Sequence, residues 1–382
     1  MPKNLFTVEP NYDHGEISAV GVLVVNLGTP ESPTAKGLRP YLKQFLSDPR
    51  VVEESRPLWW LILNAIVLTV RPKRSAEAYA RIWTDEGSPL LVTSRRLTEA
   101  IGERLSERFD SPIHCRLAMS YGEPSIPRMM DELKELGCRR LLLLPLYPHY
   151  SSSTVGSVFD AVVKELLTWR WVPELRTIHQ YHDEPAYIEA LARRVRRLWD
   201  DDGEPDVLVT SYHGIPRRYF LNGDPYHCQC QKTTRLLREL MGLPDERVVV
   251  TFQSLFGKEV WLQPYTEDTL HAMPGGGVGH VDVMCPGFAV DCLETLDEID
   301  IEYREVFEEA GGTTFRYVPC LNDDEDHANL LADVASRHLA GWAAPSGTYD
   351  AEQAAAEAEA TRERATALAA CPVLADAGYG AA

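Results

Sequence analysis

Two periodicities alternate along the chain. Short runs rich in Val, Leu and Ile are separated by longer stretches whose apolar residues recur at three- and four-residue spacing. That alternation is the pattern of a parallel sheet with crossover helices. The runs predict strands over 20–27, 114–121, 140–146 and 175–179, then over 207–212, 248–252, 280–285 and 314–318. Helical patterns fill the intervals, among them 89–108, 125–136, 185–199, 230–241 and 291–310. Four strands followed by four more predict an α/β fold in two similar halves, 18–181 and 182–342, each a four-stranded parallel sheet flanked by helices. The halves echo each other locally, since VLVVNLGTP (22–30) and VLVTSYHGIP (207–216) each run a strand into a turn with Gly and Pro. In such sheets ligands bind beyond the carboxyl ends of the strands, which predicts a cleft between the halves. From about residue 343 the pattern fades into an Ala- and Glu-rich tail, read as a solvated helix or loose appendage.

One apolar run breaks the alternation. Residues 58–70, Leu-Trp-Trp-Leu-Ile-Leu-Asn-Ala-Ile-Val-Leu-Thr-Val, are too few for the ~20 that span a bilayer. The run reads either as a buried core helix or as an interfacial segment, with Trp59 and Trp60 at one end and Arg71, Lys73 and Arg74 at the other. Composition narrows the partners. A net charge of −19 argues against nucleic acid, whose phosphates need Lys and Arg. The eight cysteines form no Cys-x-x-Cys pair and the amino terminus is polar, so a reducing cytoplasm is the expected setting. His227-Cys228-Gln229-Cys230 offers too few ligands for an iron–sulfur cluster. Nucleotide binding is disfavoured as well: there is no Walker loop, and the glycines of 275–279 precede a strand instead of following one.

Chemistry concentrates in two motifs. Ser211-Tyr212-His213-Gly214-Ile215-Pro216 places a histidine where an apolar strand opens into a tight turn. There it can serve as a base or metal ligand near neutral pH. Cys285–Glu298 opens a helix whose acids, Asp291, Glu294 and Glu298, recur at helical spacing. An acidic first turn matched to the helix dipole explains Asp291, but explains the deeper Glu298 poorly. A base facing a ladder of carboxylates suits deprotonation coupled to handling a divalent cation. A third loop, Tyr147–Ser157 with Ser151 and Ser152, reads equally as an anion-binding turn or an N-cap cluster.

With these motifs in hand, the chain resembles the ferrochelatases, specifically the Gram-negative bacterial branch that inserts ferrous iron into protoporphyrin IX. The resemblance runs over residues 20–339. It is carried by Val25–Pro30, Gly87–Leu90, Tyr147–Gly156, Ser211–Pro216, Gly223–Tyr226, Trp261–Pro264 and Cys285–Glu298. It implies two Rossmann-like, chelatase-type domains around a porphyrin cleft. His213 matches the family's active-site histidine and Glu294 its paired acid, the expected iron contacts, with Glu298 and Asp291 on the acidic face beside them. Tyr147, Ser151, Ser152, Trp261 and Phe288 are the expected porphyrin contacts, and the apolar run matches a lip touching porphyrin and membrane. The resemblance further implies that iron is a substrate and that no cofactor is required. It also implies a cytoplasmic enzyme in peripheral contact with the inner membrane.

The chain departs from the pattern at Leu255, where relatives usually carry Arg or Lys, and at Cys292, where animal relatives have a second histidine. The cysteine-rich tail that holds a cluster in some relatives is reduced to Cys371. The alternatives are a chelatase for coproporphyrin or sirohydrochlorin, and a non-catalytic porphyrin or haem carrier. The aromatic lip argues against a highly carboxylated substrate, and the His213–Glu294 pair against a carrier, which needs no base.

Overall fold

A computed structural model describes residues 5–7, 13 and 15–369. The strands are β1 (Ala19–Gly28), β2 (Ile113–Tyr121), β3 (Cys138–Pro145), β4 (Glu174–Thr177), β5 (Val207–His213), β6 (Val248–Gln253), β7 (His280–Met284) and β8 (Thr314–Val318). They form two all-parallel sheets of the same topology, ordered β2-β1-β3-β4 and β6-β5-β7-β8. β1 and β5 are central and buried almost throughout, as their continuous apolar runs require of strands covered on both faces. In each sheet the connections from the second and third positions diverge, which opens a crevice at the carboxyl ends of β1 and β3, and of β5 and β7. His213 closes β5 at one such crevice, and Tyr147 follows β3 at the other.

The two halves share one core. Val22, Val24 and Leu97 from the first half and Leu208, Leu331 and Ala335 from the second belong to a single buried cluster. The helix Glu325–Leu339, last of the second half, packs against the helix Pro89–Arg108. Arg104 and Arg108 donate to Asn329 and Ser336, and Arg108 also pairs with Asp333. The chain thus returns to the first sheet before the tail begins. The tail forms an exposed helix, Ala351–Ala369, with a narrow contact from Arg362 to Asp13 and Gly15. Cys371 lies outside the described residues.

The apolar run is neither a single buried helix nor an unbroken interfacial one. It passes from Arg56–Ile62 through a π-helical turn, Leu63–Val67, into Leu68–Ile82. One side, Trp59, Leu63 and Leu68, packs onto Leu38, Leu42 and Leu46 of the helix Ala35–Ser47, and the Trp59 Nε1–H donates to the Leu46 carbonyl at 2.6 Å. The other side leaves Leu58, Trp60, Leu61, Ile66 and Val70 exposed, with Trp60 at 65% and Val70 at 69%. Among the described residues no helix is long and apolar enough to cross a membrane.

Candidate active site

His213 is half-buried at the end of β5. Its Nδ1 lies 2.6 Å from the Gly214 carbonyl, an acceptor only, so Nδ1 carries the proton and donates. In the neutral ring that leaves Nε2 with a free lone pair, the state a base or metal ligand needs. The rings of Trp261 and Phe288 flank it, each 6.5 Å between centroids. The next residue must be glycine: a Cβ on Gly214 would stand 2.9 Å from the Gln253 carbonyl oxygen and 3.1 Å from the Trp261 ring.

The acidic helix differs from the expected one. It begins at Leu293 and runs as a π-helix over Glu294–Tyr303 before continuing as Arg304–Glu309. Asp291 therefore precedes the helix and does not share a stripe with Glu294. Its carboxylate is buried and accepts hydrogen bonds from the Tyr317 hydroxyl, Thr295 Oγ1, the Cys320 N–H and Asn322 Nδ2. Glu298 is also committed. It accepts from the Ser254 N–H at 2.8 Å, from the Ser254 hydroxyl, and from the Tyr303 hydroxyl at 2.8 Å. The last contact spans five residues, as i→i+5 winding allows. Through the first two bonds Glu298 pins Ser254, which holds a left-handed φ of 66°.

The Glu294 charge acts on Tyr41, Tyr79, Tyr147 and Arg71 of the first half. Burial first, and the Glu294 charge second or later, push the Tyr41, Tyr79 and Tyr147 phenols and the adjacent Cys292 thiol upward. All four stay protonated at neutral pH, so Glu294 sits in a wall of neutral hydroxyl and thiol groups. Arg81 crosses from the lip helix to pair bidentately with buried Asp297, at 2.5 and 2.7 Å, and also reaches Glu302. Arg71 lies over the Phe256 ring, 4.9 Å from its centroid, closing lip against loop.

Of the expected porphyrin contacts, Trp261 and Phe288 stand beside His213, and Tyr147 stands near Glu294. The serines have other partners. Ser151 is buried, caps the turn Ser152–Gly156 and donates to Asp224 at 3.0 Å. The Ser152 N–H donates to the same carboxylate, and its hydroxyl accepts from Arg50. The N-cap alternative thus describes Ser151. Sequence patterns passed over Tyr41, Tyr79, Arg81 and Gln253 and read Arg71 only as a flank of the apolar run; all five reach the site from distant segments. Among the described residues no group of three or more His, Cys, Asp or Glu is placed to hold a metal ion.

An imidazole nitrogen with a free lone pair and a carboxylate, held at one end of paired parallel sheets, define an α/β enzyme that can remove protons while it contacts a cation. The chain belongs to the ferrochelatase family, whose model matches residues 19–339. It is similar to the ferrochelatase of Thioalkalivibrio sulfidiphilus, 53% identical over 95% of this chain and 98% of that one. It is also similar to the ferrochelatases of Marinobacter nauticus, 50% identical over 93% and 96%, and Nitrosococcus oceani, 51% over 94% and 97%. Among solved structures, SirB from Bacillus subtilis with Fe3+ covers 84% of this chain and 95% of its own at 12% identity and a TM-score of 0.48.

Proposed function

We propose that the chain inserts ferrous iron into protoporphyrin IX to give protohaem. The ring loses two N–H protons and gains four Fe–N bonds, so the dication replaces two protons and charge balances. The observation that carries the reading is the His213 tautomer, with Nδ1–H tied to Gly214 and Nε2 free, and the Glu294 turn tied through Gln253 to the strand beside it. His213 Nε2 takes the pyrrole protons one at a time from one face, passing the first to solvent before it accepts the second. Glu294 contacts iron from the other, as a hard oxygen ligand suited to a divalent ion. The ring supplies four nitrogens, so the one Glu294 oxygen contact suffices, iron is a passing substrate and no resident cofactor is needed. Glu298 and Asp291 support the site by fixing the Ser254 loop and the start of the helix. Trp261, Phe288 and Tyr147 line the porphyrin's place.

The exposed side of the lip, Trp60, Leu61, Ile66 and Val70, dips into the cytoplasmic face of the inner membrane, from which an apolar porphyrin arrives. Anaerobic insertion of ferrous iron into protoporphyrin and coproporphyrin by the wild type tests the reading. Faster turnover of protoporphyrin supports it. Binding of both without insertion overturns it in favour of a carrier.

A further inference from the structure

Gln253 ends β6 as the cross-strand partner of His213 and is 1% exposed. Its polar groups divide between the segment that carries His213 and the turn that carries Glu294. The backbone carbonyl accepts from the Gly214 N–H at 2.8 Å, the peptide directly after His213. Side-chain Oε1 accepts from the Ser211 hydroxyl at 2.7 Å, two residues before it. Nε2 donates to the Glu294 carbonyl at 2.7 Å and reaches a Glu298 oxygen at 3.4 Å. A backbone carbonyl cannot donate, so the amide is oriented by its partners. Among the described residues no other side chain hydrogen-bonds both the Ser211–Gly214 segment and the Glu294–Glu298 turn.

We infer that Gln253 is a positioning residue that fixes the His213 imidazole and the Glu294 carboxylate relative to each other for metal insertion. The inference rests on the base and iron-contact roles proposed above. Only glutamine among the ordinary residues fits this position. Asparagine is one methylene short of the span. Glutamate would set a second acceptor against the Glu294 carbonyl and a second charge beside Glu298. Methionine fills the volume but takes away the Glu294 carbonyl's donor and leaves the Ser211 hydroxyl with Thr266 alone. A displacement near 1 Å of a group aimed at a reacting centre costs about 10²-fold in rate.

The test compares wild type, Gln253→Met, Glu294→Gln and the double variant in anaerobic insertion of Fe²⁺ and Zn²⁺. Rates are scaled to folded protein by porphyrin-binding titration. We expect Gln253→Met to lower kcat at least about tenfold while the porphyrin KM stays within about twofold. In the Glu294→Gln background the same change should cost much less, because its route of action is already gone. Gln253→Glu adds a pH signature: its introduced carboxyl can donate to the Glu294 carbonyl only when protonated, so its deficit relative to wild type should shrink as pH falls. Losses that multiply across the two sites, or a loss that disappears on scaling to folded protein, overturn the positioning role alone. A wild type that inserts no metal overturns the insertion reading and this role with it.

Discussion

Asp291 separates an acid that takes part in chemistry from one that holds the site together. In Asp291→Asn the shape is kept, but one acceptor oxygen becomes a donor. If the new amide nitrogen takes the place of Oδ2, it meets Asn322 Nδ2, a donor 2.7 Å away in the native protein. That bond is lost. The other three, from Tyr317, Thr295 and the Cys320 N–H, lose their charge assistance. The drop from charged to neutral acceptor is about 1 kcal/mol per bond, and an unsatisfied buried donor costs about 1–3 kcal/mol. Allowing for local relaxation, we expect a loss of about 3 kcal/mol. For a chain of this size that lowers Tm by about 4 °C. The assay pairs thermal unfolding with kcat scaled to folded protein by porphyrin titration. We expect kcat within about threefold of wild type, well inside the ~10²-fold or more that loss of an acid–base group costs. A kcat reduced by about 10²-fold at unchanged Tm would refute the reasoning and return Asp291 to the chemistry.

Acid should destabilise the fold through buried histidines. Burial pushes His327 down to about 4, and lowers His149 and His182 too. Each is neutral when folded, so as pH falls below about 6.5 the unfolded chain takes up protons first. Stability then declines by about 1.4 kcal/mol per pH unit per histidine until the folded pKa is reached. Unfolding midpoints should be flat above neutrality and fall from pH 6.5 toward 4, with a shallower slope in His327→Asn; an equal slope would discount that residue. Arg81→Ala should cost about 1–2 kcal/mol, discounted because the guanidinium is 43% exposed, and should raise the porphyrin KM by freeing the lip. Arg81→Ala/Asp297→Ala should recover part of that stability, since no buried charge is then left unpaired. Trp60→Glu should abolish co-sedimentation with anionic vesicles and leave insertion into a water-soluble porphyrin unchanged; persistent co-sedimentation would remove the lip from membrane contact.

The sheets were legible because their strands are buried on both faces, so apolar runs mark them directly. Predicted bounds fall within two residues of the observed strands, and 314–318 coincides with β8. His213 was legible for the same reason: a polar residue stands where such a run ends at Gly and Pro. The acidic helix was harder. Helical spacing assumes 3.6 residues per turn, and nothing local announces i→i+5 winding. On that assumption Asp291, Glu294 and Glu298 formed one ladder, whereas the structure ties Asp291 to Tyr317 and Asn322 ahead of the helix and Glu298 to Ser254 and Tyr303. The residues that surround Glu294 were hidden for another reason. Tyr41 and Tyr79 look like core positions of amphipathic helices, which they also are, and only tertiary packing brings them to the carboxylate.

The central claim is that His213 accepts the protons that iron displaces, and single-turnover insertion with porphyrin already bound tests it most directly. Wild type and His213→Ala are loaded with protoporphyrin and mixed anaerobically with ferrous iron, and loss of the free-base spectrum is followed. We predict similar porphyrin binding by both proteins and insertion by the variant slowed at least about 10²-fold. Insertion by His213→Ala at close to the wild-type rate would contradict the claim and leave the proton acceptor to be sought elsewhere in the cleft.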